Sequence, residues 1–430
     1  MALLVVVFED EHLLVINKPA GMNTHAPAPY AGEGIYEWLK NREPRWAKLA
    51  IIHRLDKETS GLLIFSKTTE ANRSLTEQFA TRRVRKTYRF ITDRKATRKE
   101  FVVQSTIARE GERYVSKPDG EDAETRFRLL QPTVFEAEPI TGRTHQIRVH
   151  AAESGLPIVG DTLYGGTPAD RLLLHAERLK IKHPISGKEM LFDAPADFSV
   201  GRSRGLREAL IPLDETNAYR LLHGASDGWP GWYVDRLGDF LLSQSERALS
   251  AEQIEALKRH ECKGAYHKAL SRHAREESPA HLFGETAPET FTVRENGVLF
   301  ELSLNQGYST GLFFDQRDNR RRFLSQPGAR AVLNTFAYTC GFSVCAAKAG
   351  ATVTSLDLSK KYLEWGKRNF ALNGLDPEKH DFIYGDVFGW LRRLGKKGRA
   401  FDVVILDPPT FSHSNGSSPV NASYRMHPTL

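Results

Sequence analysis

Cysteine is scarce in this chain of 430 residues: only Cys262, Cys340 and Cys345 occur. No two fall in a CxxC spacing and none has the His spacing of a zinc ligand set. Neither a disulfide framework nor a zinc site is supported, and no metal is expected. Long apolar runs are also missing. The opening run from Ala2 to Phe8 meets Glu9 and Asp10 at once. It is too short to span a bilayer, and it lacks the basic start and cleavage region of a signal peptide. It reads as a buried strand of a cytoplasmic protein with no membrane partner. No repeat at solenoid periods is visible.

What is present is ordinary globular material with a basic bias. Hydrophobic residues make up 40% and charged residues 26%, with a formal net charge of +7. That length suits two or three domains. The charge is uneven. In "TRRVRKTYRFITDRKATRK" (Thr81 to Lys99), nine Lys/Arg face a single acid and are interleaved with Tyr88 and Phe90. The mixture suits phosphate contacts together with base stacking; a solvated basic hairpin is the alternative.

The pattern along the chain changes twice. Over residues 1–198, short apolar runs bounded by Gly, Pro or charge read as strands, among them Leu13–Ile16, Gly61–Phe65, Thr87–Ile91 and Val134–Ala137. The helical piece "EANRSLTEQFATRR" lies between the second and third, so a mixed α+β domain is expected. A Pro, Gly, Ser and Arg-rich stretch follows, with a linker expected over 199–207. Residues 208–310 form a small α+β region, with hairpins in "GWYVDRLGDFLLSQS" and "FTVRENGVLFELSL" and a capping-box spacing at Ser250 and Gln253. Over 311–411, apolar strands alternate with helices, the signature of βαβ units in a parallel, Rossmann-like sheet. Residues 412–430 have no strand or helix period and read as an irregular tail.

In "IIHRLDKETSGLLIFSK", Asp56 sits between two apolar stretches. On its own it is either a structural ion pair or a chemical group. Three further segments decide the reading. "RKTYR" (Arg85 to Arg89), "TGRTHQIRVHAAESGLPIVGDTLYG" (Thr141 to Gly165) and "RLLLHAERLKIKHPISGKEMLFDAP" (Arg171 to Pro195) follow in order, with "INKPAGM" near the start. Together they resemble the RluA-type pseudouridine synthases, which isomerise uridine in RNA without a cofactor. The resemblance implies an α+β synthase fold with a mixed, mainly antiparallel sheet. It implies that Asp56 is the catalytic carboxylate, that Arg148 pairs with it, and that Tyr88 stacks on the base with its hydroxyl placed to help remove the C5 proton. The reaction asks for one aimed acid, since uracil must leave the ribose through N1 and return through C5. A base inside a stack cannot be reached, so looped or flipped nucleotides are the expected substrates. Expected RNA contacts are Arg54, Arg83, Arg85, Lys86, Arg143, His145 and Gln146. His53, His145 and His150 read as hydrogen-bonded structural groups rather than bases, and Asp161 and Tyr164 as supports.

"LNTFAYTCGFSVCAAKAGATVTSLDLSKKYLEWGKRNFALNGL" and "FDVVILDPPTFS" resemble class I S-adenosylmethionine-dependent methyltransferases acting on large-subunit ribosomal RNA. The turn after the first strand is expected to bring backbone N–H groups to the methionine carboxylate of the cofactor. Asp357 ends the second strand, where it can accept ribose hydroxyls, and Asp386 ends the third, near the adenine. Gln316, Asn334 and Phe336 complete the expected cofactor contacts, with Asp407 and Pro408 at the methyl-acceptor position. A full sheet of this type has seven strands, so an incomplete sheet, an exposed fourth strand and impaired methyl transfer are expected. The whole reads as an RNA-modifying fusion acting on ribosomal RNA, with transfer RNA as the other candidate. A non-catalytic RNA-binding or assembly factor is the competing reading.

Overall fold

The computed structural model describes residues 6–26, 34–270, 278–305, 309–325, 328 and 330–408. It divides into two compact units, residues 1–213 and 214–430.

The first unit is built on an 11-stranded sheet. Its path runs through Val6–Glu9, Leu13–Lys18, Ser60–Ser66, Leu174–Lys182, Arg85–Ile91, Val134–Pro139, Glu121–Gln131, Glu100–Glu110 and Arg113–Ser116, with Ala50–Ile51 and Glu189–Asp193 pairing off it. Among these strands, only Ser60–Ser66 and Leu174–Lys182 pair in parallel. Alternation along two central strands sets the layering. Leu14, Ile16, Leu63 and Phe65 enter one core with Trp46, Phe90 and Phe135, whereas Leu13, Val15, Leu62 and Ile64 enter another with Leu75, Leu179 and Phe192. A strand covered on both faces needs an unbroken apolar run, which explains "GLLIF". Each such side chain contributes roughly 1.5–3 kcal/mol by its burial. Gly61 has φ +119°, and a Cβ there would lie 2.3 Å from the Ala176 carbonyl oxygen. Glycine thus lets two strands close up where the loop carrying Asp56 enters the sheet.

The expected linker is a correction. Residues Arg202–Leu210 form a helix that belongs to the first unit. Its Ala209 and Leu210 pack on that unit's core, its first N–H bonds Asp170 Oδ2 at 2.8 Å, and Arg202 pairs with Glu58 at 3.1 Å. The apolar pair at its end gives the helix a face to bury, which Gly/Ser/Arg composition conceals.

The second unit opens with a five-stranded sheet in sequence order, from Ala218–His223 to Ala280–Gly284. Its one crossover helix, Ala251–Lys258 among the described residues, carries the expected capping box of Ser250 and Gln253. The hairpin Phe291–Glu295/Val298–Leu302 turns at Asn296 and Gly297, both at positive φ, as a tight primed turn requires. A four-stranded parallel sheet follows, in the order Asp381–Tyr384, Thr352–Asp357, Ala331–Thr335, Val403–Leu406. The helices Gly341–Lys348, Lys360–Leu372 and Val387–Lys396 connect these strands. The division expected at 310 is not a division of the core: Ala218, Phe240, Val293 and Phe300 share one cluster with Val332, Val344 and Phe370. Val404 and Leu406 on the fourth strand are exposed. The tail expected over 412–430 lies outside the described residues.

Candidate active site and candidate cofactor cleft

Asp56 lies in the loop between Ala50–Ile51 and Ser60–Ser66, and three elements pin that loop from below. The Thr24 hydroxyl donates to the Leu55 carbonyl at 2.8 Å and accepts from the Leu55 N–H at 3.0 Å. Gly21 N–H donates to the Lys57 carbonyl at 2.8 Å. Lys18, fully buried, donates to the carbonyls of Pro19, Met22 and Lys57 at 2.8–3.2 Å. Those three acceptors match the three donors of an ammonium. Burial pushes the Lys18 pKa down to about 7, while the charges of Asp56 and Glu58 pull it upward. The segment "INKPAGM" is therefore the bed on which the Asp56 loop rests.

Above the loop opens a cleft of about 1090 Å³, lined among others by Arg54, Asp56, Lys86, Tyr88, Arg143, His145 and Arg148. Arg148 is anchored elsewhere than expected. Its Nε and Nη2 each donate to Asp161 at 2.7 Å, and its Nη1 lies 3.8 Å from Asp56 Oδ2. Asp161 is thus the hydrogen-bonded partner and Asp56 a close electrostatic one. Burial works against the Arg148 charge, but Asp161 and then Asp56 outweigh it and raise its pKa. The Tyr164 ring lies 4.9 Å from the guanidinium, and the Tyr164 hydroxyl bonds His145 Nδ1 at 2.8 Å and accepts from Tyr114 N–H at 2.9 Å. His145, at φ 57°, starts the helix Gln146–Glu153 and brings Nε2 to 3.8 Å from Asp56 Oδ2. Burial lowers the His145 pKa, and Asp56 opposes that shift. Tyr88, 8% exposed, faces the same cleft. Burial, then the Asp56 charge, raises its pKa, so its resting form is the neutral phenol.

The other expected RNA contacts separate. Arg54 is exposed at the rim, and Arg83 and Arg85 are exposed outside the cleft lining. Arg143 lines the cleft with its guanidinium committed to Glu121 and the Asp122 carbonyl, both at 3.0 Å. Gln146 is a correction. It is buried, accepts from Thr141 and Arg143 N–H, and donates to the Glu124 carbonyl and Thr125, so its amide is used internally. His53 accepts from Ile64 N–H and stacks on Phe79; burial takes its pKa to about 3. Arg109 and Tyr114, from the hairpin Glu100–Glu110/Arg113–Ser116, also line the cleft. No motif in the sequence singles them out.

In the second unit the turn after Ala331–Thr335 is tightly wound. Phe336, Tyr338 and Cys340 all have φ between 48° and 62°. The N–H groups of Ala337, Tyr338 and Cys340 go to Leu356 O, Asp357 Oδ2 and Ala337 O. These three are spent inside the fold, so the N–H groups expected to meet a ligand here are others of the turn and helix start. Asn334 is a second correction: buried, it donates to Ser343 Oγ at 2.9 Å beneath the sheet's end. Asp357 accepts from Tyr338 and Ser359 N–H at 2.8 Å, one on each oxygen. Burial raises its pKa, and those N–H groups oppose the shift. A carboxylate oxygen has lone pairs to spare after one such bond, so this half-buried group fits a pair of ribose hydroxyls. Asp386 caps the helix Val387–Lys396 through Gly389 N–H at 2.7 Å. Gln316 accepts from Asn319 at 2.8 Å. Asp407 ends the fourth strand beside Pro408, its pKa raised by burial and then by Asp315. Among the described residues, no group of three or more His, Cys, Asp or Glu is placed to hold a metal.

Known proteins divide along the same line. The RNA pseudouridylate synthase family matches residues 12–153, and the S-adenosylmethionine-dependent methyltransferase family residues 220–427. The "Ribosomal RNA large subunit methyltransferase I" of Aeromonas salmonicida is 38% identical over 219 residues, 48% of this chain and 55% of the relative. Its namesake in Aeromonas hydrophila is 34% identical over 281 residues, 60% of this chain and 70% of the relative. The "Ribosomal large subunit pseudouridine synthase C" of Yersinia pestis is 38% identical over 226 residues, 48% of this chain and 68% of the relative. The chain therefore spans little more than half the length of the first of these relatives. Its first part belongs to the RNA pseudouridylate synthase family and its second to the S-adenosylmethionine-dependent methyltransferase family.

Proposed function

We propose that the first unit isomerises uridine to pseudouridine in RNA, with Asp56 as the catalytic carboxylate. The observation that carries this is the meeting of Asp56, Arg148 and Tyr88 in one open cleft. A flipped uridine would lay its base on Tyr88 and its sugar against Asp56. The carboxylate attacks C1′ as the C1′–N1 bond breaks, or it takes a ribose proton as that bond breaks, and the uracil turns. C5 then bonds C1′, displacing the carboxylate in the first route and with the ribose proton returned in the second. C5 loses its proton and N1 gains one, so the atoms balance and Asp56 is regenerated. The neutral Tyr88 phenol serves as stacking face and hydrogen-bonding group; to remove the C5 proton it must pass its own proton on. Arg148, Arg54, Lys86 and Arg143 set the positive charge of the cleft around an anionic chain, His145 offers a ring nitrogen to it, and Arg83 and Arg85 lie outside its lining.

The second unit binds S-adenosylmethionine in this reading, with Asp357 at the ribose, Asp386 at the adenine, and Gln316 and Phe336 beside them. When bound, the cofactor supplies a methyl group; Asp407 and Pro408 would position the acceptor base. Ribosomal RNA is the proposed substrate of both halves, since the names of relatives of each refer to the large ribosomal subunit. The proposal includes a cytoplasmic location, where the three free thiols stay reduced.

The test incubates the full chain with large-subunit ribosomal RNA and transfer RNA transcripts and maps pseudouridine by carbodiimide derivatisation, which tags the isomer of unchanged mass, followed by primer extension. Pseudouridine in the ribosomal transcript is the expected result; in the transfer RNA alone, it would move the substrate. RNA binding without any pseudouridine points to a non-catalytic assembly factor and defeats the proposal.

A further inference from the structure

The cations of the first unit's cleft differ in their commitments. Arg148 is forked onto Asp161, and Arg143 is held by Glu121 and the Asp122 carbonyl. Arg54, Lys57, Arg82 and Arg109 are exposed at the rim. Lys86 differs from both groups. It is sunk in the wall, and among the described residues it has neither a hydrogen bond nor an acidic partner. Its Nζ lies 6.0 Å from the Phe79 ring centroid and faces the space over Gly142, with His53 near enough for the Lys86 charge to lower the His53 pKa further after burial. Burial lowers the Lys86 pKa.

Lys86 is half-buried in the cleft lining, and an ammonium partly withdrawn from water without a partner gains from a counter-charge. Lys86 and Tyr88 sit two residues apart on the strand Arg85–Ile91, so their side chains share a face about 7 Å apart along it. Gly142 sits opposite: a Cβ there would lie 3.5 Å from Nζ, and a longer side chain would cover the ammonium. Gly142 is not at positive φ, so its backbone does not demand glycine. The open space over Lys86 is thus a property of the site.

We propose that Lys86 is the anchor for one backbone phosphodiester of single-stranded RNA beside the nucleotide stacked on Tyr88, reached over Gly142. This rests on the reading that RNA enters this cleft. The phosphate supplies the missing counter-charge, which fixes the register of the strand and delivers one nucleotide to Asp56. Gly142 keeps the approach clear.

The experiment measures binding of a fluorescent oligouridylate to the full chain by anisotropy across a series of KCl concentrations. Each phosphate neutralised on a single strand contributes a slope of about 0.7 in log affinity against log salt. Lys86→Met should lower the magnitude of the slope by about 0.7, with affinities converging at high salt, while Lys86→Arg keeps the wild-type slope. Gly142→Val, which leaves the charge in place, should lose a similar increment and carries the test should Lys86→Met melt early. An unchanged slope in Lys86→Met or Gly142→Val, or Lys86→Arg behaving like Lys86→Met, overturns the proposal. So does the absence of salt-dependent binding by the wild type. Wild-type binding with the expected slopes but no pseudouridine supports the Lys86 anchor and defeats the isomerase reading alone.

Discussion

Arg148 gives two of its nitrogens to Asp161, both at 2.7 Å, and presents the third to Asp56 at 3.8 Å. The buried acid aims the guanidinium, and the guanidinium faces the carboxylate proposed to be catalytic. Removing one charge of a buried pair typically costs about 3–5 kcal/mol. Asp161→Asn is therefore expected to lower stability on that scale and to slow pseudouridine formation in whatever fraction stays folded. Arg148→Lys keeps the charge and loses the fork, so its rate should also fall. Denaturant titration and single-turnover assays check both; an Asp161→Asn protein with wild-type stability and rate contradicts the arrangement.

Acid should weaken the first unit through His175. Its ring is buried between Ser60 Oγ and the Ala194 carbonyl, both at 2.8 Å, and burial lowers its pKa from 6.5 to about 4. Above pH 6.5 the ring is neutral in both folded and unfolded chains, and this stability is fully present. As pH falls toward 4, the unfolded chain takes up a proton that the folded chain refuses, and stability is lost. The loss amounts to about 3 kcal/mol. His175→Gln should be less stable at neutral pH yet show a shallower decline between pH 6.5 and 4. Chemical denaturation across that range reads the slopes, and parallel declines would count against it.

Cys340 and Gly366 form a coupled pair in the second unit. A Cβ on Gly366 would sit 2.4 Å from Cys340 Sγ, in a fully buried contact. Gly366→Ala is expected to destabilise by about 1–3 kcal/mol through overpacking. In a Cys340→Gly background the same change should be close to neutral, because the obstructing side chain is gone. Strictly additive effects in thermal unfolding would contradict this contact.

Asp357 should control cofactor affinity. Removing an acceptor of two ribose hydroxyls costs about 1–3 kcal/mol, roughly a 5- to 150-fold weaker dissociation constant. Titration calorimetry with S-adenosylhomocysteine should show that loss in Asp357→Ala. Equal affinity for both proteins would remove Asp357 from the cofactor site.

The sequence makes some of this architecture readable and hides the rest. That Asp56, Tyr88 and Arg148 share one cleft is readable because their motifs come in order along the chain, with the first ending in a short apolar run, "GLLIF", that reads as a strand. The fork onto Asp161 is not readable, because the choice between two acids for one arginine is made in three dimensions. Gln146 and Asn334 look like ligand contacts by residue type, yet both point inward to satisfy buried polar groups. The turn at Phe336–Cys340 looks like a donor of N–H groups, but its positive φ values fold several of them back on the chain. The helix Arg202–Leu210 is hidden by linker-like composition, and only Ala209 and Leu210 betray a buried face.

Quantifying pseudouridine after reaction of ribosomal RNA with wild-type and Asp56→Asn protein tests the central claim most directly. The substitution keeps the size of the side chain and removes its charge. The expected result is product from the wild type and none from Asp56→Asn, with RNA affinity retained by both. Pseudouridine formed by the Asp56→Asn protein at the wild-type rate would contradict the account.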